Sequence, residues 1–316
     1  MFSRPHDRKH VLVVRRTRLE ELARRQGSLA QARFCIESQS GDFADYEDEH
    51  AQYQRALAQA HAALQATGRY QVIERAFLPN MVFGPDDLVI TLGPDGLVAN
   101  TLKYLDGQAL AGINPDPGRW DGHLLPFDPA DLPALLEMAA TGQYDTQEVT
   151  MAEAVLSDGQ RLLAVNDLFI GAQSHVSAQY RITCQGHSER QSSSGVIVST
   201  GLGASGWMRS VLRGARRLAG LQGETEPPGD SEHKHDRHLW GAKTLQFAVR
   251  EPFPSRSTQA DLVTGQVTPG QPLRIESFMP EGGVIFSDGM ETDRLRFTAG
   301  MSASIRIAER RGLLMV

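Results

Sequence analysis

Asp87 to Asn114 reads DLVITLGPDGLVANTLKYLDGQALAGIN. Leu88 to Leu92 is an apolar run with the length and β-branched content of a strand buried on both faces. Gly93, Pro94, Asp95 and Gly96 then supply a turn. Glycine accepts unusual φ and close backbone approach, and Pro94 fixes its own φ while pushing Gly93 towards an extended conformation. From Leu97 to Tyr104 the pattern suits a short helix, whose free backbone N–H groups would face the turn and attract phosphate. Ala109 to Ile113 is a second apolar run. This β-turn-α-β order is that of a parallel sheet, whose ligands sit at the carboxyl ends of the strands, so Asp95 would sit in that crevice. The same Gly-Pro-Asp-Gly sequence is also ordinary punctuation between a strand and a helix.

The whole chain has 316 residues, enough for two domains and a large buried core. Hydrophobic residues at 41% and charged residues at 22% give an ordinary soluble globular balance. No apolar run approaches the ~18 residues of a membrane span. The start, MFSRPHDRKH, is basic but leads only into a short VLVV run, which fits neither a secretory signal nor a clear transit peptide; a cytoplasmic enzyme is expected. Cys35 and Cys184 lie far apart without metal-ligand spacing, which suits a reducing compartment. A net charge of −6 argues against general nucleic-acid binding. A nucleotide ligand would then need helix starts, arginines and a divalent cation to offset repulsion.

Outward from the central stretch, Val11 to Val14 reads as a first buried strand and Arg15 to Arg25 as a polar helix, followed by a Gly/Ser-containing break. Tyr46 to Gln65 is an amphipathic helix with Gly68 beyond its end, and Tyr70 to Ile73 a second strand. The first part is therefore Rossmann-like in order, although Gly-x-Gly-x-x-Gly is missing after its first strand. Asn114 to His123 is a loop dense in turn formers, and Pro129 to Ala140 reads as a helix. Short β-rich runs follow: Glu148 to Leu156, Arg161 to Phe169, Val176 to Thr183, Gly195 to Ser199, Leu245 to Arg250, Leu273 to Ser277, Gly283 to Phe286 and Ser302 to Ala308. One helix, Ala204 to Leu218, interrupts them. The expected fold is an α/β Rossmann-like N-terminal domain over 1–128, with about 293–316 packing back on it, and a β-rich, sandwich-like C-terminal domain over 129–292. Gly223 to His238 reads as a surface loop. Its His233, His235 and His238 are either solvent-facing or a metal set, and no other metal ligation by protein side chains is expected.

Gly93-Pro94-Asp95-Gly96-Leu97 resembles the Gly-Gly-Asp-Gly-Thr signature of the NAD kinase family and its lipid-kinase relatives, with Pro94 and Leu97 as departures. Ile113 to Pro117, with Asp121-Gly122-His123, is similar to the loop of the mitochondrial-type NAD kinase branch. Asn166-Asp167 looks like the family's Asn-Glu/Asp motif. Ser192-Ser193-Ser194-Gly195 and Thr200-Gly201-Leu202-Gly203-Ala204-Ser205-Gly206-Trp207 resemble the same branch's Ser-Ser-Gly and Thr-Gly-Thr-Gly-Ser-x-Ala-Trp. Here Leu202 and Ala204 remove two hydroxyls. Val249 to Phe253 matches a further segment, with Arg250 and Glu251 read as an ion pair. Phe286 to Gly289 resembles the family's late Asp-Gly turn, and Asp-Gly is equally a plain hairpin signal.

The resemblance implies phosphoryl transfer from ATP, or from polyphosphate, to the 2′-hydroxyl of the adenosine ribose of NAD, with Mg²⁺. Asp95 would be the general base. Gly93, Gly96, Leu97, Asn100 and Asn114 would bind the donor phosphates; Asn166, Asp167, Ser194, Thr200, Gly201, Gly203, Ser205 and Trp207 would bind NAD. The Trp207 indole either stacks on a base or packs between helix and sheet. An amide beside a carboxylate suits vicinal hydroxyls and a carboxamide, whereas an Asx turn accounts for the same pair. The resemblance also implies a homodimer, with neither nucleic acid nor membrane as a partner. The missing hydroxyls keep open a same-fold kinase for another hydroxyl (sugar, nucleoside or lipid), and Pro94 keeps open a catalytically silent nucleotide-binding protein.

Overall fold

The computed structural model describes residues 8–220 and 237–316. His233 and His235 lie outside the described residues. The chain divides into two compact units, Met1–Thr146 with Leu313–Val316, and Gln147–Gly312.

The first unit runs β1 (His10–Val14), α1 (Arg18–Gln26), α2 (Leu29–Ser38), α3 (Phe43–Thr67), β2 (Tyr70–Glu74), β3 (Leu88–Leu92), α4 (Asp95–Leu102), β4 (Ala109–Ile113) and α5 (Leu132–Thr141). Its strands are ordered β2-β1-β3-β4 and all pair in parallel. Every residue of β3 and β4 is buried, as continuous apolar runs require in a covered parallel sheet. Tyr53, Ala56, Ala60 and Leu64 of α3 join Leu132, Leu135 and Leu136 of α5 over Leu12, Ile90 and Ala111. The chain leaves β1 towards β2 and then returns past β1 to β3. The strand order therefore reverses at the carboxyl ends of β1 and β3, where open α/β sheets bind ligands.

The break expected after Arg25 holds a helix instead. Gly27 closes α1 in the left-handed conformation, and the Ser28 side chain accepts from Gln31 N at 3.2 Å to start α2. Gly-Ser here is a C-cap followed by an N-cap.

The second unit carries β5 (Thr146–Leu156), β6 (Arg161–Ala164), β7 (Asp167–Ala172), β8 (Ala178–Cys184), β9 (His187–Ser193), β10 (Val196–Ser199), α6 (Trp207–Leu218), α7 (Arg237–Trp240), β11 (Leu245–Val249), β12 (Thr264–Val267), β13 (Leu273–Ser277), β14 (Gly283–Ser287), β15 (Met290–Arg296) and β16 (Ser302–Met315). One antiparallel sheet is ordered β12-β11-β10-β7-β14-β15; in the other, β16-β13-β8-β9 follow one another and β5 pairs with β16 and β6. Leu168, Ile170, Val198 and Phe247 from the first meet Tyr180, Ile182, Ile275 and Ile305 from the second in one core, which makes the unit a sandwich. Met208, with Val211 and Leu212 of α6, covers the outer face of the six-stranded sheet at Phe169, Ile197 and Ala248. From Leu313 onwards β16 belongs to the first unit, where Leu313 and Leu314 pair in parallel with Ala109 and Leu110.

Other details also differ from the sequence reading. The run Arg161 to Phe169 breaks at Val165-Asn166, β16 extends well past Ala308, and the regular helix begins at Trp207 after a 3₁₀ turn over Gly203–Ser205. Among the described residues no helix is long and apolar enough to cross a membrane.

Candidate functional site

In the first unit the decisive turn sits at the reversal point. Val14 pairs with Leu92, so Arg15 and Gly93 follow side by side at the two carboxyl ends. Tyr53 from α3 ties these ends together: its hydroxyl accepts from Arg15 N at 3.2 Å and donates to Leu92 O at 3.1 Å. Burial pushes that hydroxyl up to about 12, so it stays protonated and can do both. Gly93 N donates to Ile113 O at 3.3 Å, Pro94 is the N-cap of α4 without a side-chain cap, and Asp95 is the first helical residue. Leu97 is buried beneath the turn, where its Cδ2 lies 2.8 Å from the position of a Cβ on Gly93. Gly96 differs: a Cβ there meets nothing within 4 Å, and its φ is not in the left-handed range. Neither packing nor backbone conformation demands glycine at 96.

The loop after β4 is built onto Asp95. Gly112 lets the Leu124 carbonyl approach to 2.2 Å from where a Cβ would stand, so the loop lies directly against β4. Leu124 N then donates to Asp95 Oδ1 at 2.6 Å. The other Asp95 oxygen has no partner among the described residues. Asn114 is buried and closes the loop, accepting from Asp116 N at 3.1 Å and donating to Trp120 O at 3.1 Å. Asn100 donates to Gly96 O at 2.7 Å, while its Oδ1 is buried without a partner. Asn114 thus holds the loop and Asn100 the helix start. Asp45 on α3 receives Arg119 at 2.6 Å and Arg18 at 2.6 Å, and these two guanidinium groups hold its carboxyl down at about 2.

In the second unit, Asn166 and Asp167 lie where β6 gives way to β7. Thr200 Oγ1 donates to Val165 O at 2.6 Å, and Thr200 N donates to Asn166 O at 2.9 Å. Gly203 N returns a bond to Thr200 Oγ1 at 3.1 Å. A Cβ on Gly203 would stand 2.1 Å from Asn166 O, and one on Gly201 1.9 Å from Leu239 O, so both glycines are set by close backbone approach. The site residues of this unit fall into two groups. Asn166, Asp167, Thr200, Gly201 and Gly203 come together, with exposed Ser205 just beyond them. Ser194 sits beyond the opposite end of β10 from Thr200, with Gly195 and the four residues of the strand, itself roughly 13 Å long, between them. Trp207 is half-buried and stacks on Phe169 with ring centroids 5.7 Å apart, and the Arg250 guanidinium lies over the same ring at 5.4 Å. Arg250 also contacts Glu251 at 3.8 Å.

Asp167 is 8% exposed, and its carboxyl makes no hydrogen bond among the described residues. Burial, and secondarily the charge of Asp288, pushes it up to about 7, against about 4 for an ordinary aspartate. Between these values the folded protein holds a proton that the unfolded chain has lost. Stability therefore falls as pH rises from about 4 to about 7 and levels off above. Asp167→Asn is expected to melt several degrees above the native protein at pH 8, with the gap closing towards pH 4. Parallel melting curves across that range would refute the buried, unpartnered carboxyl.

Among the described residues no three His, Cys, Asp or Glu side chains gather as a metal site. One carboxylate, Asp95, lies in the turn itself; magnesium commonly takes one or two carboxylates and completes its six oxygens from water and substrate phosphates, so an ion there would be one that arrives with a nucleotide.

The contacts of two residues escape sequence reading. Arg15 has as its signal only a position directly after β1; its Nε is buried without a partner and its guanidinium pairs with Glu49 at 2.8 Å. Asp288 has the Asp-Gly turn as its signal, which does not reveal what the carboxylate touches.

The chain has the fold of NAD kinases. It is similar to yeast NADH kinase complexed with NADH, at 13% identity and a TM-score of 0.62, over 98% of this chain and 83% of that one. It is also similar to an NAD kinase from Archaeoglobus fulgidus in complex with ATP, at 14% identity and a TM-score of 0.53, over 97% of this chain and 93% of that one. No protein-family profile and no curated protein matches the sequence.

Proposed function

We propose that this protein is an NAD kinase of the mitochondrial-type branch, moving the terminal phosphoryl group of ATP to the 2′-hydroxyl of the adenosine ribose of NAD. The observation that carries the reading is Gly96. It is exposed, at the first turn of α4, at the strand-order reversal, and nothing in the protein explains the missing Cβ. A phosphate lying against the backbone at that point does explain it. Asp95 beside it offers an unpartnered oxygen to take the hydroxyl proton, while Asn166 and Asp167 offer an amide and a carboxyl to the nucleoside. Phosphoryl transfer asks for this kind of positioning more than for covalent chemistry.

The test is NADP formation by purified protein from NAD and ATP supplied as its magnesium salt. Steady turnover dependent on both substrates supports the reading. NAD raising the melting temperature without turnover would favour a silent binder, for which the lack of an N–H on Pro94 is the structural argument. No effect of NAD at all would leave a kinase for a different hydroxyl. Gly96→Ala provides the internal check. It is expected to match or exceed native stability, by up to about 1 kcal/mol from helix propensity, yet to weaken ATP binding tenfold or more by calorimetry. Unchanged ATP affinity would remove the argument from Gly96.

A further inference from the structure

We propose that Asp288 is a positioning residue of the nucleoside-binding half, gripping the Val165–Asp167 backbone so that the Asn166 and Asp167 side chains stay free and aimed for the ligand. This rests on the reading of that pair as the NAD-binding groups.

Asp288 and Gly289 form the two-residue connection between β14 and β15, with φ of 53° and 68°. Both central residues of such a hairpin turn need positive φ, which Asp tolerates and Gly prefers. A hairpin needs nothing more from its first residue. Here, however, the carboxylate reaches a segment 122 residues earlier in the chain. Oδ1 accepts from Asn166 N at 2.7 Å, Val165 N at 3.0 Å and Asp167 N at 3.4 Å, and Oδ2 accepts from Val165 N at 3.1 Å. In return Asp288 N donates to Asp167 O at 3.0 Å. Successive amides converging on one anion make a nest, and bonds to a charged acceptor are roughly twice as strong as neutral ones.

The opposite side of the same backbone is equally committed, because Thr200 takes the carbonyls of Val165 and Asn166. Amides and carbonyls of this short break between strands are therefore satisfied within the protein. The side chains are left over. Neither the Asn166 amide nor the Asp167 carboxyl makes a hydrogen bond among the described residues, although Asp167 is nine-tenths buried. A rigid backbone bearing unpaired polar side chains is the arrangement a ligand site needs, since its ordering cost is met before the ligand arrives. Burial, and secondarily the charge of the same carboxylate, raises the proton affinity of Asp167, which favours a neutral carboxyl able to donate to a hydroxyl or a carboxamide oxygen.

Asp288→Asn tests this without threatening the fold, because Asn-Gly is a favoured turn of the same type and one side-chain oxygen is retained. Asp288→Ala removes the grip altogether. Two readouts are needed: amide hydrogen exchange of the peptide spanning 165–167, and KM for NAD and for ATP. In both variants exchange in that peptide is expected to accelerate, by tenfold or more in Asp288→Ala. KM for NAD should rise about tenfold while KM for ATP and kcat stay within about threefold. Unchanged exchange would overturn the proposal whatever happens to catalysis. Faster exchange with KM for NAD within twofold of native would also overturn it, by reducing Asp288 to a structural tie. A native protein that neither converts nor binds NAD brings down the kinase reading instead, and shows itself before any variant is made.

Discussion

Asp95→Asn is expected to slow NADP formation by at least a hundredfold, within the roughly 10²- to 10⁴-fold range of a general base, while the protein still folds and binds ATP. The two oxygens of Asp95 stand in different surroundings. Oδ1 accepts from Leu124 N at 2.6 Å and so fixes the loop after β4; the other oxygen has no partner among the described residues. Asparagine keeps an acceptor for Leu124 and replaces the free oxygen with an amide that cannot take a proton. Loss of a charge at the start of α4 costs only about 0.3–1 kcal/mol in stability. Asp95→Ala removes both functions, and its melting temperature should fall further than that of the asparagine variant. The decisive comparison is kcat against melting temperature and ATP affinity in the same preparation. An asparagine variant within tenfold of native kcat would take the proton-accepting role away from Asp95.

The α/β half of the fold is legible because its strands are continuous apolar runs: Leu88–Leu92 and Ala109–Ile113 are buried at every position, so composition alone marks them. The β-rich half is legible only in part. In β9 the buried positions are Glu189, Gln191, Ser192 and Ser193, a polar interior that no hydrophobic period reveals. Those groups are tolerated because partners meet them: Glu189 accepts from Leu262 N at 2.8 Å, and Tyr180 donates to Gln191 at 2.9 Å. The polar segments β12 and β15 at the ends of their sheet are hidden likewise. At the candidate site, Asp95 and Asn166-Asp167 stand out because their neighbours in sequence form the motif. The approach of Leu124 to Asp95 over Gly112 and the grip of Asp288 on Asn166 do not, although the Asp288-Gly289 turn itself is marked. Both contacts are made across the fold to backbone atoms, and backbone atoms carry no sequence signature.

Gly203→Ala should be strongly disruptive to the second unit. The new methyl would stand 2.1 Å from the Asn166 carbonyl oxygen and 2.6 Å from its carbon, both backbone atoms that no rotamer change can move aside. Nor can Asn166 retreat. Its carbonyl accepts from Thr200 N at 2.9 Å and its N–H is held by Asp288 at 2.7 Å. Overpacking against backbone costs about 3 kcal/mol, which for a unit of this size lowers the melting temperature by roughly 6–12 °C. The strain falls on the residue proposed to read the nucleoside. Well below the melting point, NAD binding should therefore weaken more than ATP binding, the reverse of what is expected for Gly96→Ala. Differential scanning calorimetry and calorimetric titration of both variants separate the two cases. Glycine at 203 answers to the protein's own backbone, and glycine at 96, on the reading proposed above, to a ligand. Should Gly203→Ala melt within a degree or two of native, the Asn166 carbonyl is free to move, and the clamp around Asn166-Asp167 is looser than these contacts require.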